Sequence, residues 1–413
     1  MGKDGKMHSR KILQGLAVIA VLGVPACGAG VSSTQVPALD TAAGHIVSAA
    51  HRSAQSSRAF AANCVATPAV EDSGNCTNIE TASSGLGPLT PAQQVPGLHP
   101  ADLQAAYKLP SGTAGAGQTI GIVIVGNDLK LESDLAVYRS TFGLPACSSA
   151  SGCFKVIVPA NASSSNANWA HEVSADVDMA SAACPKCKLL VVEADSAKYS
   201  DLATAVSAAV SAGANVVSNS YAIPESKKES SALWSHPGIP IVAATGDQGF
   251  TTVNWPAAAT NVIAVGATTL SPASATPRGW TETAWSGSGS GCSTLAAKPP
   301  WQTDRGCAMR TVADIAAVGD PNTPVAVYDS YQDTGWIEMG GTSVATPIVA
   351  GVYALAANGT QLNGASSIYT HPSSLNAVSA GSNGSCSPIY LCTAGFGYSG
   401  PAGLGSPKGI AAF

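Results

Sequence analysis

From residue 118 to residue 265 the chain alternates short, β-branched apolar runs with longer segments of helical spacing. The apolar runs fall at 118–125, 154–159, 188–193, 215–218, 239–244 and 262–265. Helical segments are read at 132–142, 169–182 and 202–212, with Leu135, Tyr138 and Phe142 near one face of the first. Strands buried on both faces read as continuous apolar runs, and parallel neighbours need helical crossovers between them. The alternation therefore predicts a parallel β-sheet flanked by helices, an α/β fold. A short helix at 100–107 and a turn at 112–117 lead into it. Residues 271–333, rich in Gly, Ser, Trp and Pro, are expected to form long loops and short strands in the same domain. One large domain is expected over 96–413.

The segment Gly340-Gly341-Thr342-Ser343-Val344-Ala345-Thr346-Pro347 opens an apolar, Ala-rich run that continues to Ala357. It reads as a tight turn feeding a buried helix, with Ser343 at the junction and Pro347 in the first turn, where a missing N–H costs little. The plain reading of Gly-Thr-Ser alone is a helix cap made by Ser343. The same geometry also suits a nucleophile, because unpaired N–H groups at a helix start favour a nearby oxyanion.

A base must accompany a serine nucleophile. Downstream of residue 95 the histidines are His99, His171, His236 and His371, and none is followed by Gly-Thr. Carboxylates are the alternative. Glu172 and Asp176 stand four apart in the helix read at 169–182, so they share a face, while Asp178 lies about 200° round from Asp176. A solvated charged face is the commoner fate of such a pair. Here the surroundings are small and apolar, and two adjacent carboxyl groups would share a proton. Asp247 follows the run at 239–244 within Gly246-Asp247-Gln248-Gly249, either an ordinary turn or a site residue beyond a strand's carboxyl end.

Only 11% of residues are charged and the net charge is −5, which excludes the basic footprint of a nucleic-acid binder. Lys3, Lys6, Arg10 and Lys11 precede an apolar run at 12–26 that ends before Cys27. This is the pattern of an export signal over residues 1–27, and the run is too short for a comfortable membrane span. Lipidation at Cys27 is the alternative to simple secretion. Residues 28–95, Ala-, Ser- and Thr-rich, read as a short pro-segment or linker with a helix at 42–62. Beyond Cys27, ten cysteines fall into five close pairs: 64/76, 147/153, 184/187, 292/307 and 386/392. Local disulfides in an oxidising compartment are the simplest outcome.

Three strings in order, Glu172-x-x-x-Asp176, Gly246-Asp247-x-Gly249 and Gly341-Thr342-Ser343-x-x-x-Pro347, resemble those of the sedolisins, the serine-carboxyl peptidases of subtilisin-like fold. Glu132-Ser133-Asp134-Leu135, Ser218-Asn219-Ser220-Tyr221 and Gly403-Leu404-Gly405-Ser406-Pro407 extend the likeness over residues 97–413. The resemblance implies hydrolysis of polypeptides at acid pH through an acyl-enzyme. Ser343 would be the nucleophile, Glu172 the base, Asp176 its partner and Asp247 a protonated oxyanion donor. Ser218, Ser220 and Tyr221 would border the substrate cleft of a secreted monomer. The family's calcium site is degenerate here: Ala377 and Ser399 replace its two Asp ligands, leaving carbonyls of Val378, Gly395 and Gly397. Calcium is therefore expected to be absent or weak, with a 386/392 disulfide holding the same loops. The pro-segment is short for the family, and Ala222 stands where many relatives have Gly. An idle, binding-only relative and a His171-dependent subtilisin-like peptidase are the competing readings.

Overall fold

The computed structural model describes residues 60–61, 73–76, 79–81, 95–160, 166–227, 229–331, 335–359 and 362–413. The export segment, Cys27, Cys64 and most of the proposed pro-segment lie outside the described residues. In chain order the principal elements are α1 (Pro100–Tyr107), β1 (Thr119–Val125), α2 (Leu131–Thr141), β2 (Phe154–Ile157), α3 (Ala167–Ala183) and β3 (Lys188–Ala194). There follow α4 (Tyr199–Ser211), β4 (Val216–Asn219), β5 (Ile241–Ala244), β6 (Val262–Ala273), β7 (Gly279–Ala284) and β8 (Ile315–Val318). Last come β9 (Val325–Asp329), β10 (Gly335–Gly340) and α5 (Thr342–Ala356).

The main sheet runs β7-β6-β5-β4-β1-β3-β2, with β8 also paired to β6. All its pairings are parallel except β6 with β7, as the alternating pattern predicts. Side-chain alternation along β1 divides the two cores. Ile120, Ile122 and Ile124 join a cluster with α1, α2, α3 and α5. Val123 and Val125 join the opposite cluster with α4. Gly121 lies where a Cβ would stand 3.2 Å from Ala209 of α4, so its missing side chain lets that helix sit close to the sheet.

Helix α5 is buried from Thr342 to Leu355, on every face. A helix apolar all round belongs inside, and this one lies between the sheet and α3. A Cβ at Gly351 would come within 2.5 Å of the Ala183 Cβ, so the absent side chain sets the spacing of α3 and α5.

The structure departs from the sequence reading at several places. Strand β6 continues to Ala273, past the end read at residue 265, and pairs with β7, one of the short strands expected in 271–333. Phe60–Ala61 is strand rather than the end of a helix. Gly341, with φ +108°, is the N-cap of α5, so Ser343 is not the cap and Pro347 falls in the second turn. Disulfides close 147/153, 184/187, 292/307 and 386/392 as expected. No helix among the described residues is long and apolar enough to cross a membrane.

Arg310 and Asp314 form a buried ion pair beneath the carboxyl-terminal loops. Arg310 Nη1 donates to Asp314 Oδ1 at 2.6 Å and Nη2 to Oδ2 at 2.5 Å. Asp314 also accepts the Ala264 N–H of β6 and the Tyr369 hydroxyl. Removing one member leaves the other charge buried and uncompensated, at a cost of about 3–5 kcal/mol. Asp314→Ala is expected to lower the unfolding free energy by about that amount in urea titrations. A loss below about 1 kcal/mol would mean that Arg310 finds water or another acceptor.

Candidate active site

Helix α3 begins at the N-cap Asn166, whose Oδ1 accepts the Trp169 N–H at 3.1 Å. From Ala170 onward every residue of the helix is buried. Glu172 and Asp176, one turn apart, are both completely shielded from solvent. They are therefore not a solvated charged face.

Ser220, just past the carboxyl end of β4, connects this helix to α5. Its Oγ donates to Asp176 Oδ1 at 2.5 Å and also lies 3.4 Å from the Ser343 carbonyl oxygen. In return, Ser343 Oγ donates to the Ser220 carbonyl at 3.3 Å. Burial pushes the Asp176 carboxyl well above the usual carboxylate range, and the Ser220 hydrogen bond opposes this only in part.

Asp247 follows β5 after Thr245 and Gly246, the latter at φ +97°. Its Oδ1 accepts both the N–H and the hydroxyl of Thr342, each at 2.8 Å. The Thr342 hydroxyl in turn accepts the Gly246 N–H at 3.2 Å. Part of Asp247 reaches the surface, yet Oδ2 is buried with no hydrogen-bond partner among the described residues. Burial raises its pKa to about 7 against the two Thr342 hydrogen bonds, which pull it down. With Oδ1 occupied as an acceptor, Oδ2 is the natural seat of the proton.

The site thus joins the ends of β4 and β5 to the start of α5 and the middle of α3. Thr342 was not singled out from the sequence, although it stands in the Gly341-Thr342-Ser343 string; its role emerges only from contact with Asp247. Of the three expected cleft residues, Ser220 enters the site. Ser218 is buried within β4. The ring of Tyr221 is directed into the α4-side core, and its hydroxyl donates to Asn219 Oδ1 at 2.7 Å.

Among the histidines, His171 Nε2 lies 3.6 Å from Asp329 Oδ2. His99 contacts the Val95 carbonyl beside α1, and His371 contacts Thr370 and Ser367. His236 lies before β5, at the opposite end of that strand from Asp247.

The degenerate calcium loops carry neutral side chains where the family pattern has carboxylates. Val378 packs in an apolar cluster with Ala284, Ala316, Ala394 and Ala402, and Ala377 is exposed. The Ser399 Oγ is buried with no partner among the described residues, and its N–H goes to the Gly403 carbonyl. The donors are neutral throughout, whereas calcium selects oxygen sets that include carboxylates.

A profile of the subtilase family matches residues 157–372, more than half of the chain. The chain belongs to the subtilase family. Among curated proteins it is 28% identical to kumamolisin of Bacillus sp. (strain MN-32) over 354 residues, covering 75% of this chain and 62% of that protein. It is 26% identical to sedolisin of Pseudomonas sp. (strain 101) over 360 residues, covering 75% and 60%. The chain thus spans about three-fifths of the length of the curated relatives it matches. Among solved structures it resembles Pseudomonas sedolisin, a serine-carboxyl proteinase complexed with two molecules of pseudo-iodotyrostatin. That match has a TM-score of 0.66 at 26% identity and covers 76% of this chain and 96% of that one. The sedolisin likeness read from the motifs and the subtilisin-like α/β fold are both borne out.

Raised carboxyl pKa values make stability depend on pH. Asp247 and Asp176 bind a proton more tightly in the folded chain than in the unfolded one. Their folded state is therefore favoured at acid pH, and the advantage is lost as pH rises from about 4 through about 7. The midpoint of thermal unfolding is expected to be higher at pH 4.5 than at pH 8, with Asp247→Asn flattening the slope. Calorimetry showing stability that climbs from pH 5 to pH 8 would mean that these carboxyls are held as anions.

Proposed function

We propose that the protein is an exported serine-carboxyl endopeptidase that hydrolyses polypeptides at acid pH. The observation that carries this reading is the arrangement of Asp247. It is fastened by Oδ1 to Thr342, next to Ser343, and keeps a buried Oδ2 whose pKa near 7 leaves it protonated in acid.

In this reading Ser343 Oγ attacks the scissile carbonyl carbon and Glu172 takes its proton. Asp176, held by Ser220, keeps Glu172 oriented and shares the pair's charge. The carbonyl oxygen gains a negative charge and accepts a hydrogen bond from the protonated Asp247, an interaction that an ionised carboxylate would turn into repulsion. The N-terminal end of α5 adds its positive field at the same point. Collapse of the tetrahedral species breaks the C–N bond, and Glu172 returns the proton to the leaving amine. Water then repeats the cycle on the acyl-Ser343 ester. The disulfides 147/153, 184/187, 292/307 and 386/392 support an oxidising, extracytoplasmic setting for the mature chain. The neutral donors around Val378, Gly395, Gly397 and Ser399 support folding of those loops without calcium.

Cleavage of a denatured protein is expected below pH 7 and should decline as pH rises through about 7, where Asp247 ionises. Ser343→Ala and Glu172→Gln should each lower kcat/KM by at least about a thousandfold. Asp247→Asn should cost about a hundred- to a thousandfold. A neutral optimum that survives Glu172→Gln and disappears in His171→Ala would establish a His-dependent mechanism instead. A folded, processed protein that cleaves nothing between pH 3 and pH 8 would establish an idle, binding-only relative.

A further inference from the structure

We propose that Asp128, Asp134 and Asp329 form a binding site for a hard divalent cation of calcium type, separate from the degenerate carboxyl-terminal loops. The three residues come from distant parts of the chain: just beyond β1, the first turn of α2, and the last residue of β9. They are 7%, 2% and 0% exposed, and one oxygen from each lies within 4.8 Å of the others. Oxygens bound to a common calcium ion at about 2.3–2.6 Å can be at most about 5 Å apart, so this spacing suits shared coordination.

Charge argues in the same direction. His171, 3.6 Å from Asp329, can offset one negative charge when protonated. Lys130 reaches Asp128 Oδ1 through its backbone N–H at 2.9 Å, and the positive charges of His171 and Lys130 offset the Asp128 charge only in part. Asp134 accepts the Ser330 N–H and hydroxyl at 2.7 and 2.8 Å, both neutral donors. Asp128 and Asp134, buried and hydrogen-bonded by neutral donors, lie beside the buried Asp329, an arrangement that is costly unless protons or a cation join it.

A fourth buried carboxylate, outside the cluster, adds to the local negative charge. Glu193, next to last in β3 and beside Ile124 of β1, is 3% exposed, and its Oε2 has no hydrogen-bond partner among the described residues. It lies on the α2 and α3 side of the sheet, in register with Leu189 and Val191, and feels the charge of Asp128. The Asp128 Oδ2 atom is likewise buried with no partner among the described residues. A buried, unpartnered Asp128 Oδ2 within a group of three close carboxylates fits an oxygen-seeking ion. Such an ion would tie the end of β1 and the start of α2 to β9. The hairpin of β9 and β10 runs directly into Gly341-Thr342-Ser343.

Terbium luminescence on the folded, full chain at pH 7.5 tests this without reference to activity. Tyr328 adjoins Asp329, and its ring lies 5.1 Å from that of Trp336, so both serve as sensitisers. Sensitised emission should saturate at one ion per chain and be displaced by calcium, and millimolar calcium should raise the thermal midpoint. Asp128→Asn, which keeps the acceptor for Lys130 N–H, should weaken terbium and calcium binding at least tenfold. Glu193→Gln should also weaken binding, and it serves as the second variant if the first fails to fold. Absence of both emission and a calcium-dependent midpoint in the wild type overturns the proposal. So does binding that is unchanged in the folded variants, which would locate the ion elsewhere.

Discussion

The close approach of α3 and α5 is the constraint on which the rest of the structure depends. Glu172 and Asp176 ride on one helix and Ser343 on the other, so the distance between the helices sets the geometry of the site. That distance is possible because Gly351 has no side chain where a Cβ would meet Ala183. Misplacing reacting groups by about 1 Å can cost a hundredfold in rate, so small residues far from the chemistry act on it through spacing. The Ala-rich composition of both helices, unpromising as a signal of function, is what makes the arrangement possible.

A chain with 11% charged residues places an unusual share of its carboxyl groups inside. Glu172, Asp176, Asp178, Asp134, Asp329 and Glu193 are each at most 3% exposed. Burial raises the pKa of Asp176, Asp178, Glu193 and Asp329, and repulsion from neighbouring carboxylates adds to it at the last three. Asp178, which accepts the Tyr328 N–H at 3.0 Å, shows that not all of this acid serves the site. It fastens α3 to β9 on the side away from Ser343. The proposed protonation of Asp247 in acid is the same effect of burial at one carboxyl.

The parallel sheet was legible in the sequence because its strands, apart from the edge strand β2, are buried on both faces and read as apolar runs. β6 was cut short at residue 265 because its second half, Thr268 to Ala273, has a partly exposed edge and pairs with the more polar β7. Glu172, Asp176, Asp247 and Ser343 could be picked out because each lies in a short local string. The partners that organise them could not. Thr342 gains its meaning from Asp247, 95 residues earlier in the chain, and Asp134 meets Ser330 across 196 residues. Tyr221 stands in a string that suggests a place in the cleft, but it lies beyond β4 with its ring packed in the α4-side core.

Pro347 shows how a local irregularity can be put to use. In an unbroken helix the N–H of residue 347 would donate to the carbonyl of Ser343, four residues back. Proline has no such donor, so the intrahelical bond is missing by chemistry rather than by distortion. The Ser220 hydroxyl lies 3.4 Å from that carbonyl while donating to Asp176 at 2.5 Å. The short contact marks Asp176 as the stronger acceptor, and the longer one keeps Ser220 against the backbone of the nucleophile segment. A proline in the first turn would have left the Ser343 carbonyl committed to the helix. Placed one turn later, it opens that carbonyl to the segment that also carries the Asp176 hydrogen bond, and so couples the carboxylate helix to the serine helix.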